Sequence, residues 1–376
     1  MASLVDKSLV TFIGHPFSSI GVGAQIRSHV RAAASVGLDV AVLDIFGHQK
    51  SVDRDHAELI EARRRENATG GVRVFHINGD EVENALAHLQ SRGLIFEEGY
   101  NIIVPAWELP VYPTVWLPAL NKFNEVWSLS KFIQRSLEAV GLSSHHVGQS
   151  VEVSHRPSLS RRYFGIRESA FVFLNFFDLS SFVERKNPKA VTEMFLALKR
   201  RRPFDDIQLV LKVKSGDRAA EEWVASLRNE VPDAVVIGQV LSEYETESLI
   251  KACDCFVSLH RSEGFGRGSG EAMACGKVAL ATGWSGNLDF MNKENSLLVD
   301  FQMIPVKECD YPQASGQMWA NPDVHHAEAL CLKVLDDADF RRQITTRSRI
   351  DIMHAASNRA VGLRVLDGIE KVSLPA

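Results

Sequence analysis

From Val257 to Thr282 the chain reads Val-Ser-Leu-His-Arg-Ser-Glu-Gly-Phe-Gly-Arg-Gly-Ser-Gly-Glu-Ala-Met-Ala-Cys-Gly-Lys-Val-Ala-Leu-Ala-Thr, a string that no single helix or strand can carry. Cys255–Leu259 is a short apolar run rich in strand formers. Glu263–Gly270 holds four glycines in eight residues, so its backbone can pass close to a ligand. Glu271-Ala-Met-Ala-Cys is a good helical segment, and Gly276 sits where a helix-ending glycine belongs. Lys277–Thr282 starts the next buried strand. A glycine loop feeding a helix N-terminus is an anion site, because free N–H groups and the helix dipole face the loop. Glu263 and Glu271 frame that loop. A carboxylate accepts paired hydrogen bonds, which suits the vicinal hydroxyls of a sugar or a ribose. The same residues also fit a solvated carboxylate and a helix cap.

A chain of 376 residues is long enough for two α/β domains. Its net charge of -5 argues against a dedicated nucleic-acid binder, which would carry a basic excess. No run reaches the roughly 18 apolar residues of a spanning helix. Met1-Ala-Ser-Leu-Val-Asp-Lys has no basic region followed by a long apolar run, so a signal peptide is not expected. The five cysteines are irregularly spaced. Cys253 and Cys255 have no second Cys/His pair at zinc-site spacing, so buried thiols in a reducing cytoplasm are expected.

The chain opens on a βαβ pattern: a strand over Ser8–Gly14, a loop with Gly21-x-Gly23, a helix over Ala24–Val36 and a strand over Leu38–Asp44. Gly21 and Gly23 fit a tight turn. With Asp44 they also touch a nicotinamide-dehydrogenase pattern, which wants a third glycine where Ile26 stands. The polar stretch His48–Gly71, with Arg63-Arg-Arg, reads as a solvated face or as a basic contact with anionic lipid. A strand from Tyr100 places Trp107 and Glu108 just past its C-terminal end, where ligands gather in parallel sheets. Both are candidates for acceptor contact, and Trp107 also fits core packing. Gly148–Pro157 is extended, and the domain boundary is expected at 157/158, with Ser158–Glu168 as linker.

The second half opens on Phe171-Val-Phe-Leu-Asn-Phe-Phe-Asp, continuously apolar as in a sheet covered on both faces. Arg185 and Lys186 precede a helix over Lys189–Arg200. Two cations at a helix entry oppose the dipole, and a bound anion would account for them. Pro305–Pro322 reads as an irregular insert. Asp337-Ala-Asp339 lies between helices and reads as solvated surface, so no metal site is expected. Val361–Val372 is the last helix.

Glu-Gly-Phe-Gly-x4-Glu-Ala-Met-Ala-Cys-Gly, followed by Ala281-Thr-Gly-Trp-Ser-Gly-Asn, resembles the donor site of retaining glycosyltransferases of family four; the likeness runs from about Val257 to Val299. The resemblance implies the α/β GT-B architecture: two Rossmann-like domains facing across a cleft, residues 1–157 with a crossing helix at 358–376, and residues 158–357 for the donor. It implies that Glu271 binds the ribose hydroxyls and that Glu263 contacts the transferred sugar. Gly264, Phe265 and Gly266 would line the donor, Gly21 and Gly23 would approach its diphosphate, and Arg261 would add a phosphate or sugar contact. Lys186 matches the family lysine that stabilises the leaving group. The family's second cation usually lies further upstream, where this chain reads Asp178-Leu-Ser-Ser, so Arg185 substitutes for it. The histidine that many members carry near Trp107 is absent. The implied activity is metal-independent transfer of a hexose from a GDP- or UDP-sugar to a saccharide or lipid-linked saccharide, without cofactor. Its setting would be the cytoplasm, with peripheral contact at the inner membrane face, as in bacterial surface-polysaccharide transferases of mannosyl or glucosyl type. A GT-B epimerase and a non-catalytic nucleotide-sugar-binding subunit are the rival readings.

Overall fold

The computed structural model describes residues 9–18, 21–46, 54–65, 71–154, 156–178, 182–214, 222, 225–227 and 229–372. Parts of the stretch His48–Gly71, of the loop from Leu179 and of the helix predicted over Glu221–Val231 lie outside them. The chain divides into two units: Met1–Val151 with His354–Ala376, and Glu152–Met353.

The first unit carries strands β1 (Leu9–Gly14), β2 (Asp39–Asp44), β3 (Val72–Phe75), β4 (Tyr100–Ile103), β5 (Glu125–Ser128) and β6 (His145–His146). They form one parallel sheet in the order β2-β1-β3-β4-β5-β6. Its helices are α1 (Gly21–Ser35), α2 (Arg54–Glu61), α3 (Val82–Ser91), α4 (Leu117–Leu120) and α5 (Lys131–Glu138). The loop expected to contain Gly21 and Gly23 is shorter than predicted, because both glycines form the first turn of α1. A Cβ on Gly23 would lie 2.1 Å from the Ser18 carbonyl oxygen, so the tight approach of chain and helix is enough to require glycine there. Arg63-Arg-Arg borders the sheet: the backbone of Arg63 and Arg65 hydrogen-bonds to Val42 of the edge strand β2. Cationic side chains at an edge discourage pairing with another chain, which gives this run a structural reason.

The second unit carries β7 (Phe171–Asp178), β8 (Ile207–Lys214), β9 (Val235–Ile237), β10 (Cys255–Ser258), β11 (Val278–Thr282) and β12 (Leu297–Val299), parallel and in the order β12-β11-β10-β7-β8-β9. Its helices are α6 (Val183–Lys186), α7 (Pro188–Arg201), α8 (Glu243–Ala252), α9 (Arg267–Ala274), α10 (Val324–Asp336) and α11 (Ala338–Ala356). The apolar run in β7 is buried on both faces, as its composition requires. Phe173 and Phe177 join one core with α7 and α10, while Val172 and Leu174 join another with Leu249 and Phe256. Pro305–Pro322 is irregular over residues 306–317, as expected, but its ends are paired strands. It spans an antiparallel hairpin of β13 (Phe301–Pro305) and β14 (Met318–Pro322). Pro305 and Pro322 occupy strand ends, where proline is tolerated in a sheet. Asp337 caps α11 by accepting the Phe340 N–H, so the Asp337-Ala-Asp339 spelling belongs to a helix junction. Of the five cysteines, all free, Cys253, Cys255 and Cys331 are buried as expected, Cys275 is partly buried, and Cys309 is exposed. Among the described residues no helix is long and apolar enough to cross a membrane.

The last helix, α12 (Asn358–Glu370), returns to the first unit. Ser357 caps it, and Arg364 donates from Nε to the Val147 carbonyl at 2.7 Å. A Cβ on Gly362 would lie 2.2 Å from the Ala32 carbonyl oxygen of α1, so the two helix backbones nearly touch. Gly362→Ala therefore opposes two effects. Helix propensity favours alanine by about 1 kcal/mol, while overpacking costs about 1–3 kcal/mol. The variant should melt lower than the wild type by calorimetry, whereas Leu363→Ser, at an exposed position, should not. A stabilised Gly362→Ala would contradict the packing.

Candidate active site

In open α/β sheets ligands bind beyond the carboxyl ends of the strands, where the strand order reverses. In the second unit that point lies between β7 and β10. The segment after β7 leads to Arg185 and Lys186, and the segment after β10 is the glycine loop. The predicted donor residues of this unit are thus brought together by topology, although they are 77 and 78 positions apart in sequence.

Glu263 is the centre of the group. Its Oε1 accepts from Lys186 Nζ at 2.5 Å and its Oε2 from Arg185 Nη1 at 3.2 Å. Arg185, 4% exposed, also donates to the Ser262 carbonyl at 3.1 Å and lies under the Tyr311 ring. Burial works to raise the Glu263 pKa, but Lys186, Arg185 and His260 outweigh it and hold the carboxyl at about 2. Two cations and one carboxylate leave one net positive charge in a largely enclosed place, which favours an anionic ligand. The two cations do not oppose a helix dipole, as the sequence implied. They lie in the last turn of the short α6, where positive charge is favourable, and Asn187 separates them from α7.

The glycine loop follows. Gly266 adopts φ +86° at the N-cap of α9, a left-handed conformation that favours glycine. Phe265 is buried against Phe290. Glu263 is fixed by its backbone, donating from its N–H to Ser285 Oγ at 2.9 Å and accepting at its carbonyl from the Gly286 N–H at 2.9 Å. Glu271 lies on α9 and pairs with Arg267, Nε to Oε1 at 2.7 Å. Phe182, Asn187 and Ser285 flank this region with positive φ, three of the four such non-glycine residues among those described. Backbone strain of this kind concentrates at functional sites.

The remaining predicted residues divide. Arg261 pairs with Glu184 and lies over Trp319 of the hairpin. His260 is a core residue: Nδ1 lies 3.0 Å from Ser258 Oγ, Nε2 lies 3.2 Å from the Trp284 carbonyl, and burial lowers its pKa. In the first unit Trp107 is buried, donates to the Val111 carbonyl at 2.8 Å and packs edge-on against Tyr112 and Trp116. That is the packing role the sequence also allowed. Glu108 is partly exposed. At the switch point of that sheet, between β1 and β3, His15 Nε2 lies 3.5 Å from Glu81 Oε1. This pair and the Tyr311 contact were not foreseen. No local pattern marks them, because each partner arrives from a different strand end.

Among solved structures the chain is similar to Anabaena Alr3699/HepE in complex with UDP-glucose, at 12% identity over 97% of this chain and 100% of that one, with a TM-score of 0.69. It is similar to sucrose-phosphate synthase (tll1590) from Thermosynechococcus elongatus, at 15% identity over 97% and 99%, TM-score 0.67. It is also similar to a glycosyltransferase from Rickettsia africae ESF-5, at 12% identity over 98% and 100%, TM-score 0.65. These likenesses define a GT-B fold. Residues 174–349 match the family model described as glycosyl transferases group 1. That match spans Lys186, Glu263 and Glu271 and supports a glycosyltransferase. No curated protein sequence is detectably similar to the chain.

The Glu263 cluster makes a stability prediction. Its carboxyl pKa falls from 4.5 to about 2 on folding, so its contribution is complete above pH 4.5 and is lost as pH falls toward 2. Glu263→Gln removes that dependence. The difference in unfolding free energy between wild type and variant should narrow as pH falls through this window, as measured by denaturant titration. A difference constant with pH would show that the carboxylate is not held by the two cations.

Proposed function

We propose that the chain is a retaining glycosyltransferase of family four that transfers a hexose from a UDP- or GDP-sugar to a saccharide or lipid-linked saccharide. One observation carries this reading: Glu263 sits between Lys186 and Arg185 at the switch point, with Glu271 one loop further on. The donor diphosphate would lie against Lys186, Arg185 and the N–H groups of Gly264–Gly266, with the ribose hydroxyls on Glu271 and the sugar on Glu263. Transfer breaks the bond from the anomeric carbon to the phosphate oxygen and forms one to the acceptor oxygen on the same face. The acceptor proton passes to the departing phosphate. The cations stabilise the charge that develops there, so neither a protein nucleophile nor a metal ion is required. The UDP-glucose held by the Anabaena protein makes UDP-hexoses the first donors to try.

Glu108 is the acceptor-side candidate that keeps accessible surface. The acceptor class, the cytoplasmic setting and contact with the inner membrane face rest on the resemblance to surface-polysaccharide enzymes. Lys186→Ala and Glu271→Ala should each lower transfer about a hundredfold or more in protein that still folds by circular dichroism, with Lys186→Ala melting lower because Glu263 loses one of its two cations. A nucleotide-sugar screen with and without EDTA measures both claims. Near-normal turnover in both variants would remove the site assignment, loss of turnover with EDTA would remove metal independence, and a free-sugar product formed without acceptor would favour epimerisation.

A further inference from the structure

Arg267 is the first residue of α9, and the first turn of that helix has no acidic residue. A cation there opposes the helix dipole, and an arginine placed N-terminal to its glutamate is the weaker order for an i,i+4 pair. Helix stability therefore does not explain the residue. Its side chain runs along the helix to Glu271, Nε to Oε1 at 2.7 Å, away from the helix N-terminus. Glu271 is enclosed by charge from three elements: Arg267 on its own helix, Glu243 at the start of α8, and Lys212 on β8. Burial raises its pKa, Glu243 adds to the rise, and Arg267 and Lys212 oppose it. A protonated carboxyl loses acceptor capacity, whereas an ionised one accepts from two hydroxyls at once.

We propose that Arg267 is a positioning residue for nucleotide binding: its guanidinium holds Glu271 ionised and aimed, so that the carboxylate accepts both ribose hydroxyls of a nucleoside diphosphate. This rests on the reading of Glu271 as the ribose acceptor. One carboxylate oxygen serves Arg267 while lone pairs on both remain for the ribose, so the pair persists when nucleotide binds.

The test is calorimetric titration of the full chain with UDP and GDP, following whichever the wild type binds, between about pH 6 and about pH 9. Wild type, Arg267→Met, Arg267→Lys and Glu271→Gln are compared. Without the guanidinium the carboxyl titrates at higher pH, and each pH unit below its pKa removes about tenfold of the ionised form. Arg267→Met should lose affinity relative to wild type toward pH 6 and recover toward it near pH 9. Arg267→Lys should stay within a few-fold of wild type throughout, and Glu271→Gln should be weak at every pH. Recovery with rising pH also excludes misfolding. A deficit in Arg267→Met that is equal at all pH values, or no deficit while Glu271→Gln is weak, overturns the role of Arg267 alone. Wild-type affinity in Glu271→Gln overturns the ribose reading together with it.

Discussion

The second unit depends on one largely enclosed carboxylate. Glu263 reaches from the segment after β10 to two cations delivered by the segment after β7, and so closes the gap where the strand order reverses. Breaking a buried ion pair by deleting one partner leaves an uncompensated charge, which costs far more than the pair contributes. The cluster is therefore conditional: each member is tolerable only while the others remain. The excess of one cation makes the same cluster receptive to an anion. Structure and proposed chemistry thus rest on the same three side chains.

Strain and packing hold this arrangement in place. Asn187 turns the chain between α6 and α7 and donates to the Leu259 carbonyl at 2.9 Å, tying the end of the cation segment to the loop that leaves β10. Ser285 holds Glu263 from the other side. The hairpin of β13 and β14 adds aromatic surface: Tyr311 meets Phe182 and Arg185, and Trp319 lies against Arg261. The contacts of Tyr311 with Arg185 and of Trp319 with Arg261 restrict long cationic side chains before any ligand arrives, which lowers the ordering cost of binding.

Local chemistry explains what was legible in the sequence. The strand, glycine loop and helix from Cys255 to Ala274 are encoded by neighbouring residues, as is the doubly covered β7. The long-range features are not. No local spacing announces that Glu263 meets Lys186, because the sheet order makes that contact. The hairpin was obscured by low periodicity, because twelve residues without helix or strand, 306–317, separate its two short strands. The first turn of α1 was hidden by Gly21 and Gly23, poor helix formers kept by the close approach at Gly23. Arg267 was hidden in the glycine loop, because the helix was expected to begin at Glu271; the structure begins α9 at Arg267, one turn earlier, and so places Arg267 beside Glu271, with Glu243 and Lys212 acting on the same carboxylate.

The return of α12 to the first unit has a consequence for synthesis. A chain leaves the ribosome from its N-terminus, and domains that are continuous in sequence can fold in that order. Here the first unit lacks the helix that packs on α1 until residues 358–370 have emerged, whereas every strand of the second unit is by then available. The segment made first is completed last. During translation the α1 surface around Ala32 is uncovered, and the unit that carries the glycine loop is the first able to finish folding.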